Sequence, residues 1–135
     1  MFLITDLQES NLEDLATLDE EVFEDFCLPI GTLRKEWRAG AVPMVVDLDV
    51  DKLAAYAVCR YEDGIVDILR LGVGKRYRGH GLARGLLDDI TWRYPGKPRM
   101  LCVRKENARA RGIYLKAGFR IVSQIDLSWV MRRDC

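Results

Sequence analysis

Apolar residues recur along this chain in two rhythms, every third or fourth position in some stretches and every second or continuously in others, with glycine, proline and Asp-Gly at the changes. Phe2 to Leu7 begins as a strand. Ser10 followed by Glu13 is a capping-box pattern, and Leu12, Leu15, Val22 and Phe26 give an apolar face to a helix over about residues 11 to 26. Pro29 and Gly31 break that helix, and Thr32 to Ala39 forms a short second one with Leu33 and Trp37 a turn apart. Strand patterns follow at Met44 to Leu48, Leu53 to Tyr61 and Ile65 to Val73, joined by the charged turn Asp49 to Lys52 and by Asp63-Gly64, as in an antiparallel meander. Leu82 to Tyr94 reads as a helix stopped by Pro95-Gly96, and Arg99 to Arg104 as a strand. Asn107 to Ala117 is a helix closed by Gly118, and Phe119 to Ile125 with Leu127 to Met131 are a final strand pair. The order β-α-α-β-β-β-α-β-α-β-β predicts an α/β fold, a mixed sheet flanked by helices in which antiparallel strands precede a strand-helix-strand crossover.

A chain of 135 residues, 49% of them hydrophobic, suffices for a single domain spanning 1–135 whose core needs neither disulfides nor metals. The 21 basic and 21 acidic residues cancel, so net charge calls for neither nucleic acid nor an anionic membrane. Their distribution is uneven. Eight acidic residues lie from Glu9 to Asp25, with Asp6 just upstream, whereas residues 75 to 84 are basic; one pole suits a cation and the other an anion. Cys27, Cys59, Cys102 and Cys135 are widely separated, lack C-x-x-C spacing and read as free thiols. MFLITDLQES is too short an apolar run for an export signal, and no stretch approaches the roughly 20 apolar residues of a membrane span. The expectation is a soluble, cytoplasmic monomer or homodimer.

The stretch VGKRYRGHGLARGLL, residues 73 to 87, changes the picture most. An apolar strand ends in a glycine-spaced basic loop that opens directly into a helix. Unpaired N–H groups at a helix start carry partial positive charge, and glycines let the backbone approach an anion with no side chain between. Neither G-x-x-x-x-G-K-[ST] nor G-x-G-x-x-G is present, which sets aside the nucleotide-hydrolase loop and the dinucleotide fingerprint. Two other readings stay open: a tight strand-to-helix turn, for which glycine is the default, and a nucleic-acid contact through Lys75, Arg76, Arg78 and Arg84.

Arg78-Gly79-His80-Gly81-Leu82-Ala83 fits Arg-x-x-Gly-x-Ala, and Asn107-x-x-Ala110-x-x-x-Tyr114-x-x-x-Gly118-Phe119 follows one helix and one strand later. With the order of elements, these motifs resemble the GNAT superfamily of acetyl-CoA-dependent N-acetyltransferases. The likeness spans nearly the whole chain and is strongest from Leu71 to Phe119. It implies an acyl-CoA N-acyltransferase fold whose mostly antiparallel twisted sheet splays at a cofactor cleft. It further implies that backbone amides of Arg78, Gly79, His80, Gly81, Leu82, Ala83 and Arg84 hold the CoA pyrophosphate, that Leu71, Gly72 and Val73 pair with the pantetheine arm, that Asn107 contacts that arm, and that Tyr114 is the general acid for the departing thiolate. A phenol near pKa 10 is protonated at neutral pH and can donate to a developing thiolate, which suits Tyr114 to that role.

LCVRKENARARGIYLKAGF is similar to the strand and helix of N-terminal protein acetyltransferases, including the ribosomal-protein subgroup. The chain departs from that subgroup twice. Cys102 stands where those proteins place a glutamate base, and Ser123 to Ser128 is short and lacks their peptide-holding tyrosines. Acetyl transfer needs an unprotonated amine, so Asp67, Glu24 and Asp25 are candidate bases, with Asp67 the first choice. Cys102 on its strand reads as a small buried hydrophobe and His80 as a solvent-facing loop residue. Trp37, Phe23 and Phe26 lie in the two helices that form the acceptor lip in this family. Exposed beside Glu20, Glu21 and Glu24, they would favour an amine-bearing acceptor with an apolar portion. The expected activity is transfer of acetyl from acetyl-CoA to a primary amine, a protein N-terminus or a small molecule. A CoA-binding regulatory domain without turnover and an enzyme acetylating aminoacyl-tRNA remain alternatives. No metal and no membrane partner are expected.

Overall fold

The structure is a computed structural model and describes residues 1–134, so Cys135 lies outside the described residues. The strands are β1 (Phe2–Asp6), β2 (Pro43–Asp47), β3 (Lys52–Glu62), β4 (Ile65–Val73), β5 (Arg99–Arg104), β6 (Arg120–Ile125) and β7 (Ser128–Arg133). The helices are α1 (Leu12–Phe23), α2 (Ile30–Ala39), α3 (Leu82–Arg93) and α4 (Ala108–Lys116), with short 3-10 turns at Glu9–Asn11, Glu24–Phe26 and Lys75–Tyr77. One seven-stranded sheet runs β1-β2-β3-β4-β5-β7-β6, antiparallel throughout except between β4 and β5. The α/β class, the meander and the crossover through α3 are as the apolar rhythms predict.

Each face of the sheet has its own helices. Leu12, Leu15, Leu18 and Leu33 from α1 and α2 pack on Met44, Tyr56 and Val58, while Leu87 and Ile90 of α3 and Tyr114 of α4 pack on Val66, Ile68, Leu101 and Val103. Among the described residues no helix is long and apolar enough to cross a membrane, and Cys27, Cys59 and Cys102 are free.

Three local readings need correction. The first helix ends at Phe23 rather than residue 26, because Glu24 turns to φ 51°, a left-handed conformation that no helix continues through. Its entrance is not capped by Ser10 and Glu13. Ser10 is itself inside a 3-10 turn, where Asn11 Oδ1 instead accepts from the Gln8 backbone N–H at 3.0 Å. The second helix starts at Ile30, so Gly31 lies within its first turn and only Pro29 acts as the boundary.

The β4–β5 pairing positions the site. Val66, Asp67 and Ile68 pair in parallel with Arg99, Met100 and Leu101, and the ladder then stops. At the same point β4 carries a bulge against β3: Cys59 pairs with Ile68 and Val58 with Arg70, which leaves Leu69 as the extra residue. A bulge bends the strand that carries it and increases its twist. Arg70 to Val73 therefore stay paired with β3 on one edge while the other edge turns away from β5, opening the splay that the resemblance implies.

One buried charge ties the outer helices to this bend. Asp19 on α1 is fully buried and accepts from the Leu28 N–H at 2.7 Å, from Arg70 Nε at 2.7 Å and Nη2 at 3.4 Å, and from the Tyr56 hydroxyl. Arg70 in turn donates to the Phe26 carbonyl and lies over the Phe23 ring at 3.9 Å. Gly72 makes room for this arrangement: a Cβ there would stand 2.8 Å from the Tyr56 ring. Removing one partner of a buried ion pair leaves an uncompensated charge, at a cost of about 3–5 kcal/mol. Arg70→Ala is expected to lose stability on that scale in urea unfolding; a loss below about 1 kcal/mol would contradict this account of the network.

Candidate active site

A cavity of about 1140 Å³ fills the splay between β4 and β5. One end is the glycine loop. Gly79 at φ 85° and Gly81 at φ 75° are in the left-handed region, where a Cβ would be strained even though it would meet no atom within 4 Å. The glycines are thus required by backbone conformation, and the space over them is open. Gly81 is the N-cap of α3, so the N–H groups of Leu82, Ala83 and Arg84 are the orphan donors of a twelve-residue helix. Arg78, Gly79, Gly81, Leu82, Ala83 and Arg84 all line the cavity. His80 does not. It is exposed and rests near the Phe2 ring at 5.8 Å, which agrees with a solvent-facing loop residue.

Sequence reasoning missed the basic wall opposite this loop. Arg109 and Lys116 of α4 also line the cavity, with Gly112 between them. Their i, i+7 spacing, with a small residue at i+3, puts them on one helix face, and that pattern was legible once α4 was assigned. Arg84 Nη1 reaches the Lys116 carbonyl at 3.3 Å and so joins the α3 start to the end of α4.

In the middle of the cavity Leu71 and Val73 face Leu101 and Val103. Gly72 does not line it, being buried under Tyr56 on the other face of the sheet. Asn107 lines the cavity from the α4 N-cap, where its Oδ1 accepts from the Ala110 N–H at 3.2 Å. The carboxamide oxygen is therefore engaged in the helix cap, and the NH₂ group remains for a ligand. Tyr114 is 7% exposed, packs edge-on to Phe119 at 6.1 Å, and burial pushes its phenol up to about 12. No hydrogen bond joins its hydroxyl to another described residue, and the residue lines the cavity. A neutral donor without a partner, at the wall of a cleft, is suited to an acceptor atom that arrives with a ligand.

The far end is formed by Val22, Phe23 and Phe26 from the α1–α2 region, by Leu69 and Arg70 of β4, and by Cys102 and Arg104 of β5. Trp37 is not part of it; it packs into the apolar cluster beneath α1 and α2. Cys102 is exposed, contrary to the buried hydrophobe expected, because α1 and α2 cover β2 to β4 and stop short of β5. Partial burial, followed by the nearby Asp67 charge, raises its thiol pKa, so it stays protonated. Asp67 does not line the cavity. It pairs with Met100 one step below the last β4–β5 pair, and so lies under the cleft floor. Glu24 and Asp25 are also outside; Glu24 pairs with Lys75 at 3.3 Å, and Thr17, Glu20, Glu21 and Glu24 gather with Lys75 in a separate surface depression. The acidic pole thus faces away from the cleft, and no cluster of described residues is arranged to hold a metal ion.

The comparisons agree with this geometry. The sequence model described as the acetyltransferase (GNAT) family matches residues 5–119. Solved structures share the fold at low identity. The ribosomal-protein-S18-alanine N-acetyltransferase of Escherichia coli is 20% identical with a TM-score of 0.86, over 99% of this chain and 94% of that one. PaiA N-acetyltransferase of Thermoplasma acidophilum, solved with coenzyme A, is 16% identical with a TM-score of 0.88, over 100% and 99%. Arabidopsis thaliana Naa50, solved with the bisubstrate analogue CoA-Ac-MVNAL, is 22% identical with a TM-score of 0.79, over 99% of each chain. No curated protein matches the chain by sequence.

The buried hydroxyls and thiols give the site a pH signature. Burial raises Tyr114 and Cys59 to about 12, and burial with the Asp19 hydrogen bond raises Tyr56 as well. Each group holds its proton more tightly folded than unfolded, so its contribution is complete below the unfolded values, about 8.5 for a thiol and 10 for a phenol, and is lost as pH rises past them. Urea midpoints are expected to be level from about pH 6 to 8 and to fall between about pH 9 and 11; a midpoint that holds or rises over the upper interval would contradict the burial of these groups.

Proposed function

The chain belongs to the acetyltransferase (GNAT) family, and on that premise we propose that it moves acetyl from acetyl-CoA to a primary amine by direct attack within a ternary complex. The observation that carries this reading is the single cleft that has an anion cradle at one end, two divergent strand edges along its length and the Tyr114 hydroxyl in its wall. Acetyl-CoA, the family's cosubstrate, supplies the activated thioester.

The N–H groups of Leu82, Ala83 and Arg84, with the guanidinium groups of Arg78 and Arg84, hold the pyrophosphate, and Arg109 and Lys116 add positive potential from α4. Leu71 and Val73 present free backbone groups to the pantetheine arm, as a strand does to its neighbour, and an amide of this segment can donate to the thioester oxygen as charge gathers there. The amine nitrogen forms the C–N bond, the C–S bond breaks with its electron pair on sulfur, and the nitrogen gives up a proton. Tyr114 donates to the sulfur as it leaves. A phenol near 12 is a weaker acid than a thiol of about 8.5, so the advantage of Tyr114 lies in its hydrogen bond to the developing thiolate rather than in a downhill proton transfer. Asp67, below the cleft floor beside Cys102, is the candidate acceptor of the amine proton, through water.

Calorimetry with acetyl-CoA and with CoA is expected to give binding that the double substitution Arg78→Glu and Arg84→Glu abolishes, with the circular dichroism unchanged. Tyr114→Phe should retain that binding and lower kcat by about 10²-fold on any amine that is acetylated. No binding by the folded wild-type chain would overturn the reading.

A further inference from the structure

The acceptor end of the cleft offers cations where the acidic pole of α1 had suggested anions. Six of the cavity-lining residues are Arg or Lys and a single one, Glu106, is acidic, so the charge of the cleft does not favour an acceptor that brings only positive charge. Arg78, Arg84, Arg109 and Lys116 belong to the anion cradle. Arg70 and Arg104 stand at the other end and have no role in acetyl transfer as derived so far.

These two side chains converge on Phe26 from the two banks of the splay. Arg70, on β4, donates to the Phe26 carbonyl, and Arg104, on β5, lies over the Phe26 ring at 4.9 Å. Arg70 is held rigidly. Its Nε and Nη2 are engaged by Asp19 and Phe26 and its plane rests on Phe23, whereas Nη1 makes no hydrogen bond to a described residue; the side chain is 14% exposed. Arg104 is paired through Nε with Glu106 at 3.1 Å, an exposed contact that solvent weakens, and its two Nη groups have no partner among the described residues. Planar guanidinium groups with spare N–H donors match the geometry of a carboxylate.

Building on the acetyl-transfer reading above, we infer that the acceptor carries a carboxylate, and that Arg70 and Arg104 take it, one from each bank. The arrangement also bears on the amine. Positive groups beside an ammonium disfavour its charged form, so the same residues favour a neutral nucleophile; Glu106, the one carboxylate of the lining, is held by Arg104 Nε at 3.1 Å. The carboxylate has two sources, the α-carboxylate of a free amino acid or the side chain of an acidic first residue of a peptide.

Conjugates in which an acetyl carbon joins the CoA sulfur to an amino group read this without turnover. One conjugate is built on glycine and its twin on glycinamide; a second is built on glutamyl amide and its twin on glutaminyl amide. Calorimetry is expected to show one acid binding at least about tenfold more tightly than its carboxamide twin, and which pair does so identifies the source. Arg104→Gln, at an exposed position, and Arg70→Lys, which keeps a charge against Asp19 but removes Nη1, should each erode the preference while plain CoA binds as before. Equal binding of acid and amide in both pairs, with CoA still bound, overturns the inference, as does a preference that survives both substitutions. Failure of CoA itself to bind the wild-type chain overturns the acetyl-transfer reading and this inference with it.

Discussion

Three residue pairs make up the parallel ladder between β4 and β5, and the site exists because that ladder ends there. A longer pairing would close the sheet and leave no cleft. A shorter one would leave β5, α4 and the final hairpin without an anchor to the meander. The bulge at Leu69 sets the balance, since it turns β4 while β3 still holds its other edge. Backbone groups that a sheet interior would satisfy are thereby left for a ligand, at the place where the helix starts and the Tyr114 hydroxyl also point.

The two banks of the cleft are held by different physics. The β5 bank is part of an apolar core, in which Leu101, Val103, Tyr114, Phe119 and Met131 pack together, so its geometry follows from burial and volume. The β4 bank rests on a buried carboxylate. Asp19 gathers Tyr56, Arg70 and the Leu28 amide, and through Arg70 it fixes the Phe26 carbonyl and the edge of the cleft beyond Leu69. Such a network is costly when incomplete and directional when complete. That directionality is what lets this end of the cleft be both shaped and charged.

Much of this was legible in the sequence. Apolar periodicity located every strand and helix, and the glycine spacing with the Asn107 and Tyr114 frame located the cleft. What escaped depended on contacts between distant segments. Asp19 reads locally as one of many surface acids on α1, and only its Leu28, Tyr56 and Arg70 partners, on the α1–α2 connection, β3 and β4, show that it is interior. Cys102 reads as a buried strand residue because alternation says nothing of how far α1 and α2 extend over the sheet. Trp37 and Phe26 are alike in the sequence, yet one is core and the other a wall of the cleft, and the left-handed turn at Glu24 that separates their environments has no local signature.

The central claim is that β4 beyond Leu69 and the start of α3 form one continuous ligand surface. Amide hydrogen exchange followed with and without CoA tests it directly, because it reads individual backbone N–H groups. The account predicts that CoA slows exchange at Leu71 and Val73 and in Leu82 to Arg84 together, with the outer strands β1 and β6 unchanged. Protection confined to a different surface, or to the helix start with β4 unaffected, would contradict it.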